Sequence, residues 1–554
     1  MKDRIHPLPA SERTMLPKAG AGRFTVVLPW DLDDRLSAFP KSKDEGQLLV
    51  LETRAKPKAL PFHRQKLTLV VSALRHFVQA QRAKGFHVEL RVADSYAQGV
   101  EEFAAWAKPT ALHAMEPREY AIDARFRALS KTLPLTLHPD GGPGGHFLLS
   151  RAEFAAWAAT QAEGRQLRMD RFYPLLRKRF GLLVDKRGKP EGGKWSLDAE
   201  NRSHARGVTV PGVQRFAPDA LTLAVMRWVA RPDVGQWGTL QGFDWPVTRS
   251  DALRALDDFI EQRLAGFGPY EDAIRSDTRF LFHSLLSSSL NLGLLHPQEV
   301  LERVEAAYQA GHVPLASAEG MIRQLLGWRE FIRGIYWELM PGLRGANQLE
   351  GRRPLPDFFW EPEQTQMRCL RDALESVRDS GYTHHINRLM VICNYATLAG
   401  LDPRPVSHWF WAGFVDAYEW VELPNVVGMG MFGTSAFTTK PYVASAQYIK
   451  RQSGLTGKGK GKPRAGAAPE APCTGCRYNP DARVGKDACP FNALYWDFLS
   501  RHRARLELNP RVATLFRSWD RWSPADQAEI RATAEAHRDS LPSTSNYAVD
   551  EDAG

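Results

Sequence analysis

Between Phe24 and about residue 145, short apolar runs alternate with stretches in which apolar positions recur every three to four residues. The runs Phe24-Thr-Val-Val-Leu28, Gln47-Leu-Leu-Val-Leu51 and His87-Val-Glu-Leu-Arg-Val92 predict strands. Ala111-Leu-His-Ala-Met115 and Leu135-Thr-Leu-His138 predict two weaker ones. Residues 64–84 carry Leu67, Val70, Val71, Leu74, Phe77 and Val78 at helical spacing, which predicts a helix. This alternation predicts a parallel sheet wrapped by helices. No GxGxxG follows the first strand, so a standard dinucleotide fold is excluded. Gly141-Gly-Pro-Gly-Gly145 lacks the Lys-Ser/Thr of a phosphate loop and reads as a turn. Ser150-Arg-Ala-Glu153 is a capping box opening an Ala-rich helix. Residues 180–211 show little periodicity and predict a long connector. From Pro246 the pattern is helical almost throughout, opening at the N-terminal signal Thr248-Arg-Ser-Asp251.

Composition then narrows the class. The 554 residues are 43% apolar and 25% charged, which is ordinary for a globular chain able to bury a large core. Five cysteines in this length do not make a disulfide framework. No run approaches the ~20 apolar residues of a spanning helix, and residues 1–22 lack a secretory apolar core. A soluble, intracellular protein with no membrane partner is expected, with a loose N-terminal arm and a frayed tail from Ser543. The net charge of +10 favours anionic partners. Residues 450–469 hold Lys450, Arg451, Lys458, Lys460, Lys462 and Arg464 and no acidic residue. Gly and Pro interrupt them, which predicts a mobile basic loop suited to phosphate contacts.

Four segments carry chemistry. Cys473-Thr-Gly-Cys476 with Cys489-Pro490 can grip a metal centre; zinc and a [4Fe–4S] cluster both want a fourth ligand, for which Cys369, Cys393 or a nearby His are candidates. His283-Ser-Leu-Leu-Ser-Ser-Ser-Leu-Asn291 supplies hydroxyls near a helix start, where free N–H groups favour phosphate or are simply capped. Gly327-Trp-Arg-Glu-Phe-Ile-Arg-Gly334 sets aromatic and charged residues on one helix. In Thr383-His-His-Ile-Asn-Arg-Leu-Met390, Thr383 is the expected N-cap, with His384 and His385 in the first turn as a solvated pair or as catalysts. A helix start disfavours a cation, so a histidine that must donate a proton there needs a nearby anion.

Taken in order, Gly327-Trp-Arg-Glu-Phe-Ile-Arg-Gly334, Tyr382-Thr-His-His-Ile-Asn-Arg-Leu-Met390, Asp416-Ala-Tyr-Glu-Trp-Val-Glu-Leu-Pro-Asn425, Lys440-Pro-Tyr-Val-Ala-Ser-Ala446 and Cys489-Pro-Phe-Asn-Ala-Leu-Tyr-Trp-Asp497 resemble the iron–sulfur bacterial cryptochromes and photolyases. The likeness to this prokaryotic (6-4) photolyase group spans roughly residues 24–511. It implies the cryptochrome/photolyase fold: an α/β antenna-type domain (23–145), an interdomain connector (146–245), a helical FAD-binding domain (246–440) and a helical C-terminal region bearing an iron–sulfur cluster (441–540).

The same resemblance implies site residues. Cys369, Cys473, Cys476 and Cys489 would ligate a [4Fe–4S] cluster, leaving Cys393 a core thiol. FAD would be held by Tyr270, by His283, Ser284 and Ser287 near its phosphates, and by Gln324 and Arg329. Asp416 would pair with Arg388 beneath the flavin, with Glu422 or Asn425 approaching the ring. His385, with His384 as its partner, would be the catalytic acid. Leu389, Met429 and Tyr442 would line the lesion pocket, and Trp409, Tyr418 and Tyr448 would carry electrons. The implied activity is light-dependent repair of (6-4) photoproducts in UV-damaged DNA by a cytoplasmic monomer, bound at times to the nucleoid; the alternative is a blue-light receptor that keeps FAD and the cluster. Three departures stand out. Pro29-Trp-Asp-Leu32 replaces the family's Gly-Asp-Gln-Leu, so Trp30 is expected to alter or empty the pocket of a lumazine-type antenna. The basic loop is longer than the family's. Trp360-Glu-Pro-Glu carries one extra residue before Cys369.

Overall fold

The computed structural model describes residues 22–53, 60–161, 166–455 and 470–543. Five parallel strands, β1 (Arg23–Val27), β2 (Gln47–Thr53), β3 (Val88–Ala93), β4 (Ala111–Met115) and β5 (Leu135–His138), lie in the order β3-β2-β1-β4-β5. Each predicted strand is present within a residue or two of its expected ends. β1 is central, with Val26 level with Leu49 of β2 and Ala114 of β4. Helices cover both faces, which is why Leu48–Leu51 form an unbroken buried run instead of alternating. The first covering helix, Arg64–Ala83, matches its predicted span. Ser150 closes its capping box with Glu153, and Thr248 Oγ accepts from Asp251 N–H at 3.1 Å, as their spacing predicts.

In an open α/β sheet the crevice beyond the carboxyl ends of the central strands is where ligands enter. Here protein occupies it. Trp30, buried to 2% exposure, packs edge-on against Tyr96 and Tyr418 at 5.6 and 6.1 Å. Leu32 N–H donates to Leu292 O at 3.1 Å, and Arg118 donates to Asn291 O and Trp30 O at 2.8 and 2.6 Å. The sheet thereby docks on the helical body through the segment Leu290–Gly293.

One apolar core runs from the sheet through the helices to Leu343 and takes in Tyr382, Val415, Trp420, Val427 and Phe437 further along the chain; a second is built on the helices Arg368–Ser380, Pro403–Gly413 and Pro490–Arg501. Residues 181–219 hold only two short 3₁₀ turns among the described residues. Among the described residues no helix is long and apolar enough to cross a membrane. The basic stretch differs from expectation where it is described. Lys450 and Arg451 belong to the helix Ala446–Gln452, and Lys450 is buried against both carboxylate oxygens of Asp481 at 2.8 Å. Residues 456–469, like the N-terminal arm to residue 21 and the tail beyond 543, lie outside the described residues.

A buried ion pair locks the sheet region to the helical body. Arg333 donates to both oxygens of Asp140 and, at 3.0 Å, to Leu149 O, with Asp140 and Arg333 only 1% and 2% exposed. Removing one member of such a pair strands the other charge. Asp140→Ala is expected to lower unfolding stability by about 3–5 kcal/mol, read as a lower urea midpoint.

Candidate active site

Four stretches of the helical body abandon the ordinary helical repeat for a wider π-type turn; Phe259–Arg263 lies apart from the large cavity, and the other three are Arg323–Arg329, Asn387–Cys393 and Pro424–Gly430. Such turns are rare and cluster at functional sites. These three face one cavity of about 1570 Å³, contributing Gln324 and Arg329, then Arg388 and Leu389, then Asn425 and Met429. That volume exceeds the ~300–1,000 Å³ usual for a small-ligand pocket. The third turn can close on the second because residue 430 is glycine: a Cβ there would stand 2.7 Å from Cys393 Sγ.

The floor of the cavity is ionic. Arg388 Nη1 and Nη2 donate to the two oxygens of Asp416 at 3.0 and 3.1 Å, the pairing the resemblance implies. Ser287 Oγ donates to Asp416 Oδ2 and Asn291 Nδ2 to Asp416 O, both at 2.7 Å. Asn291 Oδ1 in turn accepts from Arg329. Burial alone would raise the Asp416 carboxyl, but Arg388 and Ser287 outweigh it and hold it below the usual carboxylate range.

Around this floor several polar atoms are buried with no partner: Arg329 Nε, the Ser288 and Ser289 hydroxyls, Glu422 Oε1 and both ring nitrogens of His384. Unpaired buried polar groups are costly and uncommon in native proteins. Arg329 makes no salt bridge among the described residues; it lies over the Phe147 and Trp420 rings at 4.7 and 5.0 Å. Burial, then the neighbouring Arg118 charge, push its pKa down to about 9. Such a cation suits an anionic ligand. Burial raises Glu422 from the ordinary 4.5 to about 8, against the opposing pull of Arg388. A cavity of this size, lined by a part-buried cation, the Ser284 and Ser287 side chains and a neutral buried carboxyl, fits a long ligand with phosphates and a flat polar ring.

Every residue expected to hold FAD (Tyr270, His283, Ser284, Ser287, Gln324, Arg329, Arg388, Asp416, Glu422 and Asn425) lines this cavity. So do His385, Tyr448, and the expected lesion-pocket residues Leu389, Met429 and Tyr442. His384 stands behind the wall: it is 1% exposed and stacks on His283 with centroids 4.7 Å apart and planes 10° apart. Burial and the neighbouring His283 hold its pKa well below 6.5, so its ring is neutral. The His385 side chain is 46% exposed, with Nε2 3.4 Å from Asp272 Oδ1. Asp272 sets an anion beside His385 at the helix start, and no spacing pointed to it. Thr383 departs from its expected cap role. Helical bonding starts at His385, and the Thr383 hydroxyl accepts from the Asn387 side chain at 3.0 Å, not from a backbone N–H.

Trp409 is fully buried behind Phe410, a cavity-lining ring 5.1 Å away. Trp237, from the connector, joins it to Trp360, with centroids 6.2 Å and 5.3 Å away; this aromatic link was not legible in the spacing. Tyr418 is buried with its hydroxyl unpartnered. Cys369 opens the helix Arg368–Ser380, Cys489 caps Pro490–Arg501, and Cys473 and Cys476 lie in the preceding turns. Burial, then the facing thiols Cys473, Cys489 and Cys476, push the Cys369 thiol far up; burial and Cys476 push Cys473 to about 12. The four sulfurs therefore share one locality. Yet among the described residues no three His, Cys, Asp or Glu side chains close on a point that could hold a metal ion. Cys393 is a core thiol, as expected, at the cavity edge.

Comparison with known proteins adds four findings. The family model described as deoxyribodipyrimidine photo-lyase-related protein matches residues 25–245. Over 524 residues the chain is 38% identical to the (6-4) photolyase of Agrobacterium fabrum, covering 93% of this chain and 98% of that protein. In structure it is similar to a bacterial class III photolyase from Agrobacterium tumefaciens (TM-score 0.55, 16% identity, 80% of this chain and 86% of the other). It is also similar to the cryptochrome of Synechocystis sp. PCC6803 (TM-score 0.52, 12% identity, 95% and 100%). Both likenesses speak to the fold.

Glu422 makes the cavity sensitive to pH. A carboxyl whose folded pKa lies above its unfolded value binds more protons folded, so its contribution to stability falls as pH rises between the two. Glu422→Gln removes that loss. In protein stripped of small molecules, the stability of the variant relative to wild type is expected to climb by a few kcal/mol from about pH 4.5 to about pH 8 and then level off. Urea titrations across that range check it, and a flat difference would show that the carboxyl is solvated.

Proposed function

We propose that this protein, which belongs to the bacterial (6-4) photolyase group of the photolyase and cryptochrome family, is a light-dependent lyase that repairs (6-4) pyrimidine photoproducts in DNA. The observation that carries this reading is the single cavity that gathers Arg329, Arg388–Asp416, Glu422, His385 and the apolar Leu389 and Met429. The family implies FAD. Ser284, Ser287 and Arg329 would meet its phosphates, and Arg388–Asp416 with Glu422 and Asn425 its ring. When bound and reduced, FAD supplies under blue light one electron that is later returned.

The chain's own residues do the rest. A lesion inside a duplex must be turned out of the stack and received in a pocket. Leu389, Met429 and Tyr442 offer the apolar wall for it, while the exposed Arg202, Arg451 and Arg511 beside the mouth meet flanking phosphates without reading sequence. Moving a group between bases needs a proton donor within hydrogen-bond reach. His385 is that donor, oriented by Asp272, and His384 holds the wall behind it by stacking on His283. Trp409, Tyr418 and Tyr448 would be the steps of a path supplying electrons to a bound flavin. Cys369, Cys473, Cys476 and Cys489 would hold a [4Fe–4S] cluster; four thiols in one locality are a soft donor set suited to it. With Trp30 filling the crevice beyond β1, no lumazine-type antenna binds there. The enzyme acts as a monomer on UV-damaged DNA in the cytoplasm.

The decisive experiment is blue-light repair of an oligonucleotide carrying one defined (6-4) lesion. Repair in the light and none in the dark is expected; flavin photoreduction without repair would move the assignment to a light sensor. His385→Ala is expected to keep FAD content and photoreduction and to lose most repair. Repair at the wild-type rate in that variant would remove the acid role. Cys473→Ser is expected to lose iron and sulfide, measured by elemental and sulfide analysis, with lower soluble yield. Stoichiometric zinc without sulfide in the wild type would overturn the cluster.

A further inference from the structure

A second, smaller cleft of about 350 Å³ opens away from the active site, between the loop 349–353, the end of the helix Asn394–Ala399, the joint between Pro490–Arg501 and Arg503–Leu506, and the helix Pro524–Asp539. Five arginines line it (Arg352, Arg353, Arg501, Arg505 and Arg538) against only two carboxylates, Glu350 and Glu535. Arg505 pairs with Glu350, and Arg353 and Arg538 share Glu535; from outside the cleft, Asp497 pairs with Arg501 and Arg538, and Asp539 with Arg353, so five arginines meet four carboxylates. The exposed Arg352 guanidinium makes no hydrogen bond or ion pair among the described residues. The cleft therefore keeps a surplus of positive charge.

The backbone holds these cations in place. The N–H groups of Arg352 and Arg353 both donate to Gly400 O, at 3.1 and 3.0 Å. A Cβ on Gly351 would stand 2.2 Å from Leu401 O, so only glycine lets the loop approach this closely. Glu350 next to it takes a left-handed φ of +53°, which is strained for a residue with a side chain.

The second observation is a stranded donor. His502, 6% exposed, lines the cleft, and its Nε2 lies 3.3 Å from Arg501 Nη1. Arginine can only donate, so Nε2 is the acceptor and the hydrogen of the neutral ring sits on Nδ1. Burial and the charges of Arg501 and Arg505 keep the ring neutral, with a pKa lowered to about 4. Nδ1 is itself buried with no acceptor among the described residues. A buried N–H with no acceptor, on a ring facing surplus guanidinium charge, is matched by an anion with several acceptor oxygens, and Arg forks suit phosphate in particular.

We propose that this cleft is a phosphate-binding site, separate from the active-site cavity, in which Arg352 and Arg505 grip the oxygens of a phosphate or diphosphate group and His502 Nδ1–H supplies a third contact. The group is either free, as in a nucleotide or pyrophosphate, or part of a DNA backbone reaching past the lesion site. The test uses the FAD-loaded protein, so that Arg329 is already engaged, and calorimetric titration with inorganic pyrophosphate at low salt. One saturable site is expected. Arg352→Glu and Arg505→Gln, both at the surface, should each weaken it at least tenfold while leaving blue-light repair of a short lesion oligonucleotide unchanged. Displacement of pyrophosphate by an undamaged duplex of ~30 base pairs would identify the backbone as the source; retention would identify a free ligand. No saturable binding by the wild type, or equal binding by both variants, would overturn the site.

Discussion

The pair of the half-buried Arg388 with the buried Asp416 is the constraint from which the cavity follows. The Asp416 charge could not remain there alone, because a single buried charge costs several kcal/mol. Its geometry therefore dictates where the surrounding segments meet. Asp416 accepts from Arg388 and from Ser287, its carbonyl accepts from Asn291, and Asn291 accepts from Arg329. One ionic floor thus ties four segments far apart in sequence into the walls of one space. The π-type turns at 323–329, 387–393 and 424–430 set Gln324, Arg329, Arg388, Leu389, Asn425 and Met429 along its walls.

The same segments show a division between groups that are satisfied within the protein and groups left for a ligand. Arg388 and Asp416 satisfy each other. Arg329, Glu422 and the Ser288 and Ser289 hydroxyls do not find full partners, although the fold buries atoms of each. Folding tolerates such a shortfall where a bound molecule makes it good, since binding to the folded state alone adds stability by mass action. The two histidines divide in the same way. His384 is held neutral in the wall by stacking, whereas His385, one residue on, reaches the cavity and the Asp272 carboxylate.

Where the sheet meets the helical body, docking has displaced ligand space. Trp30, Arg118 and Leu292 fill the crevice beyond β1 and β4, and the buried Asp140–Arg333 pair fixes the two parts in register. The sheet region consequently supports Asn291 from behind, through Arg118 on its carbonyl, while the Asn291 side chain faces the ionic floor.

The sequence by itself determined what depends on neighbours along the chain. Strand runs and helical spacing set all five strands and the helix Arg64–Ala83, because burial on both faces or one face writes itself directly into apolar periodicity. The caps at Ser150 and Thr248 were legible because a cap is a contact over three residues. The ordered motifs, read through their resemblance, placed the flavin candidates and the Arg388–Asp416 pair. Tertiary structure alone decided the rest: that Trp237 bridges Trp360 and Trp409, that Asp272 stands beside His385, that Thr383 turns its hydroxyl to Asn387, and that five arginines surround His502. Each of these is a meeting of residues from separate segments, or a turn whose width is set by its packing partners. Local periodicity carries no record of such meetings, since their energy comes from burial and charge pairing between parts of the chain that only folding brings together.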